Sequence, residues 1–452
     1  MRNKMIINTA PSDHSLPRWK VWLTWLLRLI VGGVFIFSGF TKAIDPWGTL
    51  YKMQDYVGAM GLDMFGPEIL LTGAFILFTL EFMTGVFLVT GTFRRFAPVM
   101  TCLFMLVMLP LTGWIALTDP VPDCGCFGDA LLISNTATFW KNVFLTAGAV
   151  WIIIYNRRVH WLITPALQWI EFVVSGLFII GVGVVGYTIQ PLIDYRDYPT
   201  GGPLVSPDEG NSESHFVFTY EKDGVKKDFN ETDSLPDEAD GWKYIGRREQ
   251  QVAQKTVAPA DRRDLRIWSE DGEEDVTVDV IGTSERQMVL MIPSMKDVSI
   301  AATWRINVLR DWAESHGVEF FAVVSGTPEQ IAEWRDVSLS DYPIYTAEDT
   351  SIKEAVRGNP AVIYLQNGKI RWKSTLGAVR GDDWMAQHPD ATADDLFVNV
   401  STTAKDVLVL WLSVMGALVM FSFLPKMILG RRAAKRKLDS IPKEPEKPYT
   451  PE

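Results

Sequence analysis

Two of the three cysteines in this 452-residue chain lie a single residue apart, Cys124 and Cys126 in the stretch PDCGCFGD. Thiols at that spacing can exchange with disulfides, close a structural staple, or supply two ligands to a metal. In a turn, residues i and i+2 approach within about 5.5–7 Å, which just permits a disulfide. Gly125 removes the Cβ that would crowd so small a ring, and Gly128 lets the chain turn back. A ring this tight is expected to be strained, and so labile and oxidising. Closing so short a loop restrains the unfolded chain little, which weighs against a staple. A metal site would need further ligands, and His14, His160, His215, His316 and His388 show no metal-ligand spacing. Cys102 lies within an apolar run, roughly 22 Å from the loop at 1.5 Å per residue, too far to be the partner. Cys124 and Cys126 are thus expected to act as a redox pair with no metal, the staple remaining the alternative.

Charged side chains inside apolar runs are the second chemical signal. Arg28 and Glu81 each sit within a stretch long enough to span a bilayer. Charges at such depth are costly and usually face a bundle interior in pairs. The expectation is an Arg28–Glu81 pair, either fixing helix register or serving a proton or quinone head-group site under the cysteine loop. Glu171, with Trp169 close by, is a weaker candidate. Gly32, Gly33, Ser38 and Gly39 are expected to permit close helix packing rather than to bind anything.

The elements that must position these residues are membrane helices. Val21–Phe40, Ile69–Thr90, Phe96–Leu117, Thr138–Ile154, Trp161–Ile189 and Val407–Leu429 are each apolar and near the ~20 residues a span requires. The basic clusters flanking the spans fall on one side if six helices alternate: Arg2, Lys4, Arg18 and Lys20; Arg94 and Arg95; Arg157 and Arg158; and the cluster from Arg431 to Lys437. By the positive-inside rule both termini are cytoplasmic, and the cysteine loop and residues 194–405 face outward. The first span lacks a clear cleavage site and reads as a retained helix. The expected divisions are a cytoplasmic N-terminus (1–20), a four-helix membrane bundle (21–160) and a fifth span (161–193). A linker with a β-rich extension (194–275) and an α/β domain (276–400) come next. A sixth span (406–429) and a basic, then disordered, cytoplasmic tail (430–452) end the chain. The net charge of −11 argues against nucleic-acid binding.

An early Arg followed by GGVFIFSGFTK, then LEFMTGVFLVTG, then DCGCFGD between the third and fourth helices resembles the DoxX-type membrane family. Within it, the branch containing the methylamine-utilisation protein MauE is the most similar. The resemblance covers about residues 20–160. It implies a four-helix bundle and a role in periplasmic thiol or electron transfer in a bacterial inner membrane, generally alongside a thioredoxin-like partner.

Beyond the fifth span, HFVFTYEKDGVKKDF reads as a hairpin turning at Asp223-Gly224. VTVDVIG, QMVLMIP, VEFFAVVS, YPIYTA, PAVIYLQ and KIRWKST read as strands, and AATWRINVLRDWAESHG and TPEQIAEWRD as helices. The second helix carries a Thr327–Gln330 capping box with Pro328 at its first position. Strand–helix–strand–helix–strand–strand is the order of a thioredoxin-like domain. GNPAVIYLQNGKI resembles the segment of thioredoxin and TlpA-like proteins at their cis-proline, which implies a cis bond at Pro360. The junction where those proteins carry Cys-x-x-Cys reads IPSMKDVSIAATW, without cysteine, so the domain is expected to be redox-silent.

These readings converge on a polytopic α-helical membrane protein with an outward thioredoxin-like domain. Its expected work is thiol–disulfide or electron transfer as an oxidoreductase or quinone-linked component, with a quinone as candidate acceptor and the lipid bilayer and an envelope protein as partners. The alternative is a non-catalytic scaffold that assembles an envelope complex through the thioredoxin-like domain.

Overall fold

The computed structural model describes residues 17–61, 64–119, 121, 124–156, 159–205, 215–222, 225–230, 243–250, 265–399 and 401–439. The first sixteen residues, Arg157-Arg158, the Asp223-Gly224 turn and the tail beyond Asp439 lie outside them. Among the described residues, six helices are long and apolar enough to cross a membrane, as expected.

The first compact unit is the helical one. It contains α1 (Arg18–Ile44), α2 (Pro46–Ala59), α3 (Pro67–Thr90), α4 (Phe96–Thr118), α5 (Asn135–Tyr155) and α6 (Gln168–Thr188). All but α2 are candidate spans by length and composition. α2 was not anticipated, although Asp45-Pro46 signals it: the Asp45 carboxylate accepts from Gly48 N at 2.9 Å, with Pro46 at the first helical position. α1 and α3 cross with their backbones nearly touching. A Cβ on Gly39 would stand 2.5 Å from Phe82 N, and one on Gly85 would stand 2.6 Å from Ile36 N. The expectation of close packing holds for Gly32 and Gly39, whereas Gly33 meets nothing within 4 Å. Ser38 instead makes hydrogen bonds at the candidate site.

The second unit contains most of the polar insert. β1 (His215–Lys222), β2 (Val225–Asn230) and β3 (Lys243–Gln250) form an antiparallel sheet in the order β2-β1-β3, the β-rich extension read from sequence. A five-stranded mixed sheet follows. The segment VTVDVIG, expected as a strand, instead turns as a four-residue helix, α7 (Thr277–Val280). There the Asp275 carboxylate accepts from Thr277 N at 3.0 Å, a local bond that competes with strand pairing. The sheet is built from β4 (Arg286–Ile292), β5 (Glu319–Val324), β6 (Ile344–Thr346), β7 (Ala361–Gln366) and β8 (Lys369–Thr375), ordered β6-β5-β4-β7-β8. β4, β5 and β6 are parallel, and β7 and β8 are antiparallel. α8 (Ala302–Ser315), α9 (Pro328–Ser338), α10 (Asp349–Ala355) and α11 (Asp382–Gln387) complete the unit. α9 has the expected capping box. β7 and β8 are joined through Asn367 and Gly368, both at positive φ.

The sheet recruits chain from before the expected boundary at residue 276. Gly201 N donates to Ile370 O at 2.7 Å and Ile370 N to Gly202 O at 2.8 Å, so the supposed linker pairs with β8. Tyr198, Leu204, Leu265 and Ile267 are buried in the same core as Val289, Phe321 and Ile363. In the helical unit, α12 (Ser401–Asp439) closes the chain, and its Trp411 stacks on Phe178 of α6 with ring centres 4.9 Å apart.

Candidate functional site

The site forms where α1, α2 and α3 meet the loop between α4 and α5. Ser38 and Lys42 are four residues apart on α1 and therefore share one face. Glu81 comes from α3. Lys42 Nζ donates to Glu81 Oε2 at 2.8 Å, to Ser38 Oγ at 2.7 Å and to the Cys126 carbonyl at 2.9 Å. An ammonium has three protons to give, and this geometry uses all three. Ser38 Oγ also lies 2.7 Å from the Cys126 carbonyl and 3.0 Å from Glu81 Oε2. A second anchor comes from α2, where the Tyr56 hydroxyl donates to the Cys124 carbonyl.

The cysteines so held face one another. Cys124 Sγ and Cys126 Sγ are 2.6 Å apart, and both are free thiols. Gly125 and Gly128 take φ of +61° and +54°, which lets the chain reverse around the pair as expected. The Cys124 thiol hydrogen-bonds to Cys126 and holds that thiol below its ordinary range against the effect of burial. Lys141 and Lys42 reinforce the shift, and Glu81 opposes it. The same hydrogen bond, together with burial, pushes the Cys124 thiol up. In the reduced pair these shifts favour the thiolate at Cys126, the form that attacks or leaves in disulfide exchange.

Beneath the loop lies a cavity of about 240 Å³ whose apolar wall includes Phe35, Leu77, Phe104, Met105 and Met108. Ser38, Lys42, Glu81, Lys141 and both cysteines also line it. Lys141 Nζ sits 4.2 Å from the centre of the Phe127 ring. Among the described residues no group of three or more His, Cys, Asp or Glu could hold a metal.

Arg28 and Glu81 do not pair. Arg28 is fully buried, and its guanidinium donates to Leu88 O at 2.7 Å, Val89 O at 3.2 Å and His160 O at 3.1 Å. It also lies 4.1 Å from the Trp25 ring centre. The reason is register: Leu88 is seven residues past Glu81, about 10 Å along α3. Arg28 thus satisfies carbonyls that the end of α3 leaves open, and Lys42 takes the carboxylate. Glu171 is buried and accepts from the Thr90 hydroxyl at 2.6 Å and from the Thr92 hydroxyl, away from the cysteines. Ser38, Lys42, Tyr56 and Lys141 were missed as site residues. The i, i+4 spacing of Ser38 and Lys42 at the end of a span was the available signal.

In the second unit the Asn359–Pro360 bond is cis, as expected. Asn359 Nδ2 donates to Ser294 O at 2.8 Å, which ties this bond to the loop that follows β4.

The match to known proteins falls on the helices that build the cysteine site. Residues 20–155 match the family model of the methylamine utilisation protein MauE. The MauE match runs from the start of α1 to the end of α5, so it contains the cysteine loop, Ser38, Lys42, Tyr56, Glu81 and Lys141. Residues 215–254 match the model of a domain of unknown function, DUF8463, over the three-stranded sheet. No curated protein and no solved structure matches the chain.

Proposed function

We propose that this multi-pass membrane protein transfers electrons by thiol–disulfide exchange at Cys124 and Cys126, on the outer face of a bacterial inner membrane. The observation that carries the reading is the pair itself: two thiols in contact, with both carbonyls anchored by Ser38, Lys42 and Tyr56. A staple has no need of a depressed thiol beside two lysines. The basic residues at one set of loop ends support the outward placement, with both termini in the cytoplasm. The resemblance to DoxX-type proteins implies this chemistry, and the MauE match covers the helices that carry the pair.

The five-stranded sheet, with parallel strands first and a hairpin last beside a cis proline, supports a thioredoxin-like domain. The loop after β4 runs from Pro293 to Ile300 without a cysteine, so this domain acts as a redox-silent dock for an envelope protein. That cysteine-free loop also favours the second reading, a scaffold that assembles an envelope complex without catalysis.

Trapping separates the two. An incoming thiolate attacks the sulfur whose partner leaves more readily, and Cys126 is the better leaving group. Cys126→Ser should therefore accumulate a reductant-sensitive adduct between Cys124 and a partner thiol in cells. The double Cys124→Ser/Cys126→Ser variant should show none. No adduct in either single variant, with thiols that never cycle, leaves the scaffold reading.

A further inference from the structure

A membrane dithiol that oxidises partners must itself be reoxidised by a two-electron acceptor. The cavity under the loop bears on what that acceptor is. Its walls come from α1, α3, α4 and α5, which are long and apolar enough to span a bilayer, together with α2 and the cysteine loop. An apolar cavity of about 150 Å³ holds one benzene ring. At about 240 Å³, this one holds a substituted ring and falls short of the usual range for larger ligands. Phe35 and Phe104 offer flat faces at the wall, 5.8 Å apart by ring centre and nearly perpendicular. The other end is cationic and touches both sulfurs. Lys42 has spent its protons on Ser38, Glu81 and the Cys126 carbonyl, which leaves it a fixed charge rather than a donor. Lys52 and Lys141 also line the cavity, and Lys141, whose charge bears on both thiols, is the cation suited to meet a ligand oxygen.

We infer that this cavity seats the head ring of a lipid-soluble quinone, which reoxidises the Cys124–Cys126 pair with Lys141 at the quinone oxygen. The inference rests on the redox reading of that pair. The Cys124 S–H bond breaks as its sulfur joins that of the Cys126 thiolate in one S–S bond. Two electrons pass to the ring, and the proton from Cys124, with one taken from solvent in place of the proton Cys126 had already released, ends on its two oxygens as quinol. The Lys141 ammonium stabilises the anionic oxygen formed on the way.

The test uses full-length protein in detergent, with decylubiquinone and menadione as probes. Binding is measured by equilibrium dialysis on the Cys124→Ser/Cys126→Ser variant, which cannot react. Turnover is measured as quinol formed per two thiols lost in reduced wild type. The expected result is saturable binding of at least one probe to the double-serine variant and one quinol per thiol pair in wild type. Adding Met108→Trp, which fills the cavity, or Lys141→Gln, which leaves its shape, should weaken binding at least tenfold. Binding that is absent, or equal in all variants as for partition into micelles, overturns the quinone site. If Cys126→Ser still traps a partner in that case, the thiol function stands. Saturable binding without thiol loss in wild type overturns the reoxidation step.

Discussion

Lys42 Nζ stands 2.8 Å from Glu81 Oε2, with both side chains only 8 % exposed. The pair joins α1 to α3, and the Ser38 side chain and the Cys126 carbonyl of the loop complete it. An ion pair this buried gains stability only if its remaining donors and acceptors are satisfied. Here Ser38 and Cys126 supply the rest, so the cost of burying the charges also fixes the height of the cysteine loop.

Glu81→Gln should leave the Lys42 ammonium buried without its counter-charge. We expect a loss of about 3–5 kcal/mol, the usual cost of removing one partner of a buried pair. Lys42→Met/Glu81→Leu should recover most of it. Thermal melts in detergent decide this: a single variant that melts like wild type would mean water reaches the pair.

Arg28→Gln should destabilise the bundle by removing the donors at the end of α3. Its effect should add to that of Glu81→Gln within about 0.5 kcal/mol, as for sites without shared partners. A larger coupling energy in the same melts would return Arg28 to the Glu81 cluster.

Reduced protein should be alkylated first at Cys126. Its pKa is lowered, so its thiolate, and hence its labelling rate, should persist as pH falls through the range where an ordinary thiol is already protonated. Cys124, shifted the other way, should label only under alkaline conditions. Mass spectrometry of pulse-labelled protein across pH 5.5–9.5 reads both sites; equal rates at every pH would remove the assignment.

Gly39→Leu should abolish folded protein, because the new side chain meets the α3 backbone, whereas Gly33→Ala should be silent. Size-exclusion recovery after expression is the measure. Matching recoveries would show that α1 and α3 can separate.

Features set by neighbouring residues were legible in the sequence. The Thr327 capping box, the cysteine turn with its two glycines and the spans themselves depend on a few adjacent side chains or on composition. What was misread depends on distance along an element or on residues far apart in the chain. Arg28 and Glu81 looked like partners because each is a charge in an apolar run; where each sits along its helix, invisible before the helices are packed, sends them to different neighbours. Lys42 was overlooked because a lysine at the end of a span usually reaches for the interface. Tyr198 and Leu204 sit in a Pro- and Gly-rich stretch and enter the core only through pairing with β8, more than 160 residues later.

Gly39 follows Ser38 directly, and the atom its missing Cβ would strike is Phe82 N, the peptide nitrogen next to Glu81. The helix crossing and the polar cluster are therefore one location, and the two chains of atoms cannot be varied separately. Substitutions that spare this seam are available in the lining supplied by α4 and α5. Screens that diversify the lining positions on α4 and α5 should yield folded proteins with altered acceptor preference, and screens centred on the seam should yield mostly absent protein.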